Sequence, residues 1–278
     1  MTTTEHPAQV DTPALSDSDW AQYAHALEQE LHLLTYAISH DLRAPLRHID
    51  GYTRRLQEQL QGSDHSESLK LADRLQTANN RLQRYVNSLL EYRHIGTVAL
   101  RIQDIETQAC LEGMLSCFGR YPSGKVWQAT LAGTLPRIGS DEALFSQLCY
   151  QLIDNAYHYS AWAETPRLEI VGEVSGDRLL LSFADNGVGF DPERSQQLFQ
   201  LFRSVHTARE VPYHGVGAGL ALARRIAERL GATLSAASEP GRSAIFRVEL
   251  PLQLELQAAL PGRHHTAAQR QNGNWQQH

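Results

Sequence analysis

Residues 27–49 read LEQELHLLTYAISHDLRAPLRHI, and within them Leu27, Leu31, Leu34, Ile38, Leu42, Leu46 and Ile49 recur at steps of three and four. At about 100° per residue these side chains form one apolar stripe, which predicts a long amphipathic helix starting near Trp20. Gln61, Gly62, Ser63 and Asp64 carry turn chemistry, and beyond them Leu71, Leu75, Ala78, Leu82, Tyr85 and Leu89 carry a second stripe to about His94. The expectation is a helical hairpin over residues 20–96. A hairpin alone leaves part of both stripes in water. Pairing two hairpins into a four-helix bundle buries them, so a homodimer is expected.

His40 lies roughly 180° from the centre of the first stripe, on the outer face it shares with Arg43 and Arg47, with Asp41 beside it. Pro45 has no N–H to donate and its ring crowds the carbonyl of Asp41, which predicts a local bend. An exposed imidazole next to a carboxylate is an accessible nucleophile. Taken alone, the segment also fits a solvated surface histidine.

The rest of the chain bounds the possibilities. Its 278 residues, 42% hydrophobic and 20% charged, suffice for two modest domains. A net charge of −6 argues against a sequence-independent grip on nucleic acid, which needs a basic face. Cys110, Cys117 and Cys149 have neither an even count nor CxxC spacing, so no disulfide framework or zinc site is expected, and a reducing compartment fits. No apolar run has the length of a membrane span, and the opening MTTTEHPAQVDTP lacks signal-peptide order, so a soluble, cytoplasmic protein is expected. Residues 1–19 read as an unstructured lead and 253–278 as a loose polar tail.

After Gly96 the pattern turns to an α/β mixture over residues 97–252. Strands are expected near Ala99–Ile105, Leu168–Glu173, Leu179–Ala184 and Ile245–Leu250, and helices over Asp141–Tyr157 and Leu220–Leu230. Three motifs fall in this part. Asp185-Asn186-Gly187-Val188-Gly189-Phe190 follows a strand, Asp154-Asn155-Ala156 sits on a helix, and Gly215-Val216-Gly217-Ala218-Gly219-Leu220-Ala221 opens one. Glycines ahead of a helix let the backbone approach phosphates, and helix N-termini favour anions. Singly these signals are weak: a turn, a solvated asparagine, a lone GxGxG.

Their order is specific. The string SHDLRAPLRHI (39–49), then Asn155, then DNGVGF, then Phe199-Gln200-Leu201-Phe202, then GVGAGLA resembles the full run of boxes of two-component sensor histidine kinases, especially the phytochrome-type branch. The resemblance covers roughly residues 25–251. It implies an α+β protein, a dimeric helical-hairpin stem (a four-helix bundle) followed by an α/β-sandwich ATP-binding domain of the Bergerat fold, which gyrase and Hsp90 chaperones share. It also implies autophosphorylation of His40 with ATP and Mg²⁺, then transfer to an aspartate in the receiver domain of a separate response regulator. A sensor or input protein of unknown identity would drive it.

By the resemblance, His40 would be the phosphorylated residue and Asp41 would orient its ring or take its proton. Asp185 would receive the adenine amino group, with Gly187 and Gly189 shaping the pocket. Asn155 would bind Mg²⁺. Residues 191–214 would form a lid anchored by Phe199 and Phe202, and Gly215, Gly217, Gly219 and Leu220 would hold the triphosphate end. Five positions depart from the family pattern. Gln151 replaces an Asn, His158 replaces the Lys or Arg that reaches the phosphates, Val216 replaces Thr or Ser, and Ser204 replaces an Arg. Ala44 replaces the Thr or Asn used in dephosphorylating the partner. Two alternatives stay open: a phosphorelay or scaffold module that does not use ATP, and a conformational ATPase of the gyrase or Hsp90 kind.

Overall fold

The computed structural model describes residues 43–59, 65–121, 123–206 and 215–254. His40, Asp41, the expected lead, the expected tail beyond Leu254 and residues 207–214 of the expected lid lie outside the described residues. So does the expected bend at Pro45, which rests on the Asp41 carbonyl.

Two helices form the stem: α1, Arg43–Gln59, and α2, His65–Thr97. Leu71, Ala78 and Tyr85, seven residues apart, are the buried positions of the α2 stripe, a heptad spacing that keeps one seam against a neighbour. The burial is incomplete. Leu46, Leu69, Val86 and Leu90 are all exposed on the stem. Among the described residues no helix is long and apolar enough to cross a membrane.

The α/β part holds two sheets. Strand β1, Ile102–Glu106, pairs antiparallel with β3, Arg137–Asp141, with Ile105 opposite Ile138. Helix α3, Thr107–Ser116, follows β1. The main sheet comprises β2 (Gln128–Gly133), β4 (Arg167–Ser175), β5 (Arg178–Asp185), β7 (Ser243–Pro251) and β6 (Thr233–Glu239), in that spatial order. Only the β2–β4 pair is parallel. Period-two alternation puts Leu179, Leu181, Phe183 and Asp185 of β5 inward, beside Ala244, Phe246, Val248 and Leu250 of β7.

Onto that face pack α4, Glu142–Ser160, and α5, Gly219–Arg229. Asp141 caps α4 by accepting the Leu144 N–H at 3.0 Å. The helix buries Phe145, Leu148, Leu152, Ile153 and Ala156. The result is an α/β sandwich with one continuous core. The sequence reading placed no element at α3, β2, β3 or β6. Strands β2 (QATLAG) and β6 (TLSAASE) lie at the sheet's edges and are rich in Ala, Ser and Gly, so side-chain pattern says little there.

Candidate functional site

Strand β5 delivers Asp185 as its last inward side chain, 4% exposed. Burial pushes its carboxyl up to about 6, and hydrogen bonds from the backbone of Gly187 and Ala244 hold it partly back. The Gly187 N–H donates to Asp185 Oδ1 at 2.8 Å. The chain then turns so tightly that a Cβ on Gly187 would lie 2.5 Å from the Tyr159 carbonyl oxygen. At Gly189, φ is +61° and a Cβ would meet the Glu239 carbonyl oxygen at 2.4 Å, so both glycines are sterically required. Phe190 N–H donates to Ser238 Oγ at 2.7 Å, fixing the loop's exit.

Helix α4 runs beneath this loop. Its last turn is pinned by Tyr121 Oη, donating to the Tyr157 carbonyl at 2.6 Å, and by Trp127 Nε1, donating to Ser160 Oγ at 3.2 Å. Tyr159 is thereby set against the turn, where its carbonyl accepts the Val188 N–H at 3.3 Å. Burial raises the Tyr159 hydroxyl pKa, and a hydrogen bond with Ser204 lowers it. One turn back is Asn155, and another turn back Gln151, whose Oε1 would lie 2.7 Å from a Cβ on Gly219.

The Gly215–Gly219 segment opens α5 on Ala218, whose side chain cannot cap it, so the first-turn N–H groups are presented to an acceptor from outside the helix. At Gly217, φ is +70° and a Cβ would sit 2.7 Å from the Arg203 carbonyl oxygen. Phe202 N–H donates to the Gly217 carbonyl at 2.9 Å, tying the Phe motif to the Gly motif, and Phe202 itself holds a φ of +63°. Such left-handed backbone in a bulky residue is costly and persists only where packing enforces it. Phe202 meets Tyr85 of α2 edge-on, ring centroids 4.9 Å apart. Phe199 lies under the Arg224 guanidinium at 5.5 Å.

These parts enclose a cavity of about 350 Å³. Of the expected residues, Asn155, Asp185, Gly189, Gly215, Gly217, Gly219 and Leu220 line it. Gly187, Phe199 and Phe202 are not among its lining residues. His158 is absent from the lining, and its Nε2 stands 3.4 Å from Asp154 Oδ1. The sequence reading missed Tyr159, and it missed the contribution of the stem: Arg84, Asn87, Ser88 and Glu91 of α2 form one wall. Their spacing of three and four puts them on one face of the helix, but only tertiary packing brings that face to the cavity.

The arrangement fits a nucleotide. Phe190, Leu198 and Phe246 make an apolar end beside the acceptor Asp185, and the Gly segment with Asn155 makes a polar end. The described residues hold no group of three or more His, Cys, Asp or Glu able to bind a metal alone. A Mg²⁺ there suits the Asn155 amide oxygen plus phosphate oxygens from the ligand.

Comparison with known proteins agrees with this geometry. The family model for the His Kinase A (phospho-acceptor) domain matches residues 18–97, and the one for the histidine kinase-, DNA gyrase B- and HSP90-like ATPase matches residues 140–254. The chain is 29% identical over 235 residues to cyanobacterial phytochrome A of Nostoc sp., covering 84% of this chain and 30% of that protein. It is 32% identical over 243 residues to sensor protein KdpD of Escherichia coli, covering 86% and 26%. The chain thus spans under a third of either relative. Among solved structures, histidine kinase ThkA in complex with response regulator protein TrrA shares the fold, with a TM-score of 0.62 at 16% identity over 87% of this chain and 69% of that one.

Proposed function

The chain belongs to the two-component sensor histidine kinases, and from that membership we propose that it moves the γ-phosphoryl group of ATP onto His40 and then onto an aspartate of a separate response regulator. The observation that carries this reading is the cavity itself, bounded at one end by buried Asp185 and at the other by the stem helix α2. In the stem, Arg74 of α2 stands 6.0 Å over the ring of Tyr52 in α1.

Phosphoryl transfer asks for positioning and charge neutralisation more than for covalent chemistry by the protein. Asp185 accepts the adenine amino hydrogen, and the N-terminal amides of α5 receive phosphate oxygens. Asn155 would hold Mg²⁺ through its amide oxygen, and the ion would supply positive charge against that of the phosphates. Asp41 holds one ring nitrogen of His40 as a donor, so that the other attacks with its lone pair free. The N–P bond forms as the bond from γ-phosphorus to the β–γ bridging oxygen breaks, and ADP departs. A receiver carboxylate then attacks phosphorus and the N–P bond breaks. The ThkA–TrrA complex supports a response regulator as partner.

Exposed Leu46, Leu69, Val86 and Leu90 support a homodimeric stem, their apolar surface being what a second hairpin would cover. Ala44 lacks the hydroxyl or amide that orients water, so dephosphorylation of the partner should be weak. Cytoplasmic location and an input from a sensor module or partner protein belong to the same reading. A second reading, a relay or scaffold that does not turn over ATP, draws on His158 pairing with Asp154 and on Val216 lacking a hydroxyl. Loading the chain from γ-labelled ATP with Mg²⁺ and then adding receiver domains separates the two. The kinase should take acid-labile, base-stable label and lose it to a receiver within minutes; a chain that never labels leaves the relay reading standing.

A further inference from the structure

Three acids, Glu91, Asp154 and Asp185, line the cavity, and two arginines, Arg84 and Arg203, are the only Lys or Arg side chains among the described lining residues. A triphosphate needs cations, and the two positions at which the family pattern carries Lys or Arg hold His158 and Ser204 here. His158 Nε2 pairs with Asp154 Oδ1, Ser204 Oγ donates to the His206 carbonyl at 2.9 Å, and Val216 has no polar side-chain atom.

Which end Arg84 serves follows from its neighbours. Along α4, Tyr159 stands at the Asp185 turn, Gln151 two turns earlier abuts Gly219, and Gln147 one turn before that donates to Glu91 of α2. The stem therefore closes the end away from Asp185, where Gly215–Gly219 opens α5. Tyr85, next in sequence to Arg84, is 6% exposed against Phe202, which bonds Gly217. Two more ties hold α2 in that register: Arg225 lies 5.1 Å over the Tyr92 ring, and Arg229 Nη2 donates to the Val98 carbonyl.

We propose that Arg84, on the stem helix, is a nucleotide-binding residue of its own protomer's ATP site, its guanidinium meeting the terminal phosphates. The proposal rests on the kinase reading and deepens it. A planar, permanently charged fork suits phosphate oxygens. Because the charge comes from α2 and not from the sheet domain, tight triphosphate binding requires the two to be docked, and bound ATP in turn favours the docked arrangement.

Calorimetric titration of the full chain with AMPPNP, ADP and adenosine, in Mg²⁺, tests this on wild type, Arg84→Gln, Arg84→Lys and Arg74→Gln. A partly exposed charge-assisted contact predicts AMPPNP binding about fivefold to tenfold weaker in Arg84→Gln, with adenosine changed by less than about twofold. ADP should lose an intermediate amount, Arg84→Lys should keep most of the affinity, and Arg74→Gln should match wild type. Equal AMPPNP affinity in Arg84→Gln and wild type would overturn the proposal and leave the kinase reading intact. Equal loss for adenosine and AMPPNP would also overturn it, assigning Arg84 to packing. A wild type that binds no nucleotide would overturn both.

Discussion

The stem and the sheet domain bury their apolar residues to very different degrees. In the sheet domain Phe145, Phe183 and Phe246 are each 2% exposed or less, whereas on the stem Leu69 is 72% and Leu90 58% exposed. A sheet with helices on one face completes its core within one chain. A two-helix hairpin has a stripe wider than its partner can cover, so what remains is a surface with the composition of a core. The sheet domain should therefore stand or fall by its internal packing, and the stem by association.

The largest expected effect breaks the sheet domain. Phe183→Ala removes a ring between β4 and β7 and should cost about 3–5 kcal/mol, seen as a large fall in the urea midpoint. Next, Leu90→Asp on the stem should weaken self-association at least about tenfold by sedimentation while leaving the sheet domain's melting transition in place. A variant that stayed as associated as wild type would undo the contrast, since the exposed stripe would then have no role.

The third effect is smaller and depends on pH. Asp185 is raised from 3.8 to about 6 by burial, so the folded chain keeps a proton that the unfolded chain has lost. Between about pH 4 and pH 6 folding takes up that proton, so this group's contribution to stability falls as pH rises and its full cost is present above pH 6. Asp185→Asn should raise the melting temperature of nucleotide-free protein by on the order of 2 °C at pH 7.5 and change it little at pH 4.5. A rise of equal size at both would mean that Asp185 is not the titrating group. With adenine received at Asp185 as proposed, the Asn variant should also bind AMPPNP more weakly at pH 7.5.

Sequence disclosed some of these features better than others, for physical reasons. The α2 stripe was legible because a 3.6-residue period writes itself into side-chain type, and the inward face of β5 because a buried strand alternates strictly. Asp185, Gly187, Gly189 and Gly217 were legible because their roles need one residue type: a buried acceptor, or backbone that no Cβ permits. Strands β2 and β6 were hidden by their Ala and Ser content. Tyr159 and Arg84 were hidden because they reach the cavity through tertiary packing, the one by the pinning of α4 and the other by the Tyr85–Phe202 contact. His158 marks the opposite case, a residue whose position in the motif implied a phosphate role but whose side chain pairs along its own helix.

Whether the cavity and His40 serve a single reaction is decided by measuring AMPPNP binding and labelling from γ-labelled ATP on the same preparations of wild type, His40→Gln and Asp185→Asn. Wild type should bind and take acid-labile label, His40→Gln should bind as well without labelling, and Asp185→Asn should lose both together. Label on His40→Gln, or undiminished label on Asp185→Asn, would mean that the cavity and His40 do not share one reaction.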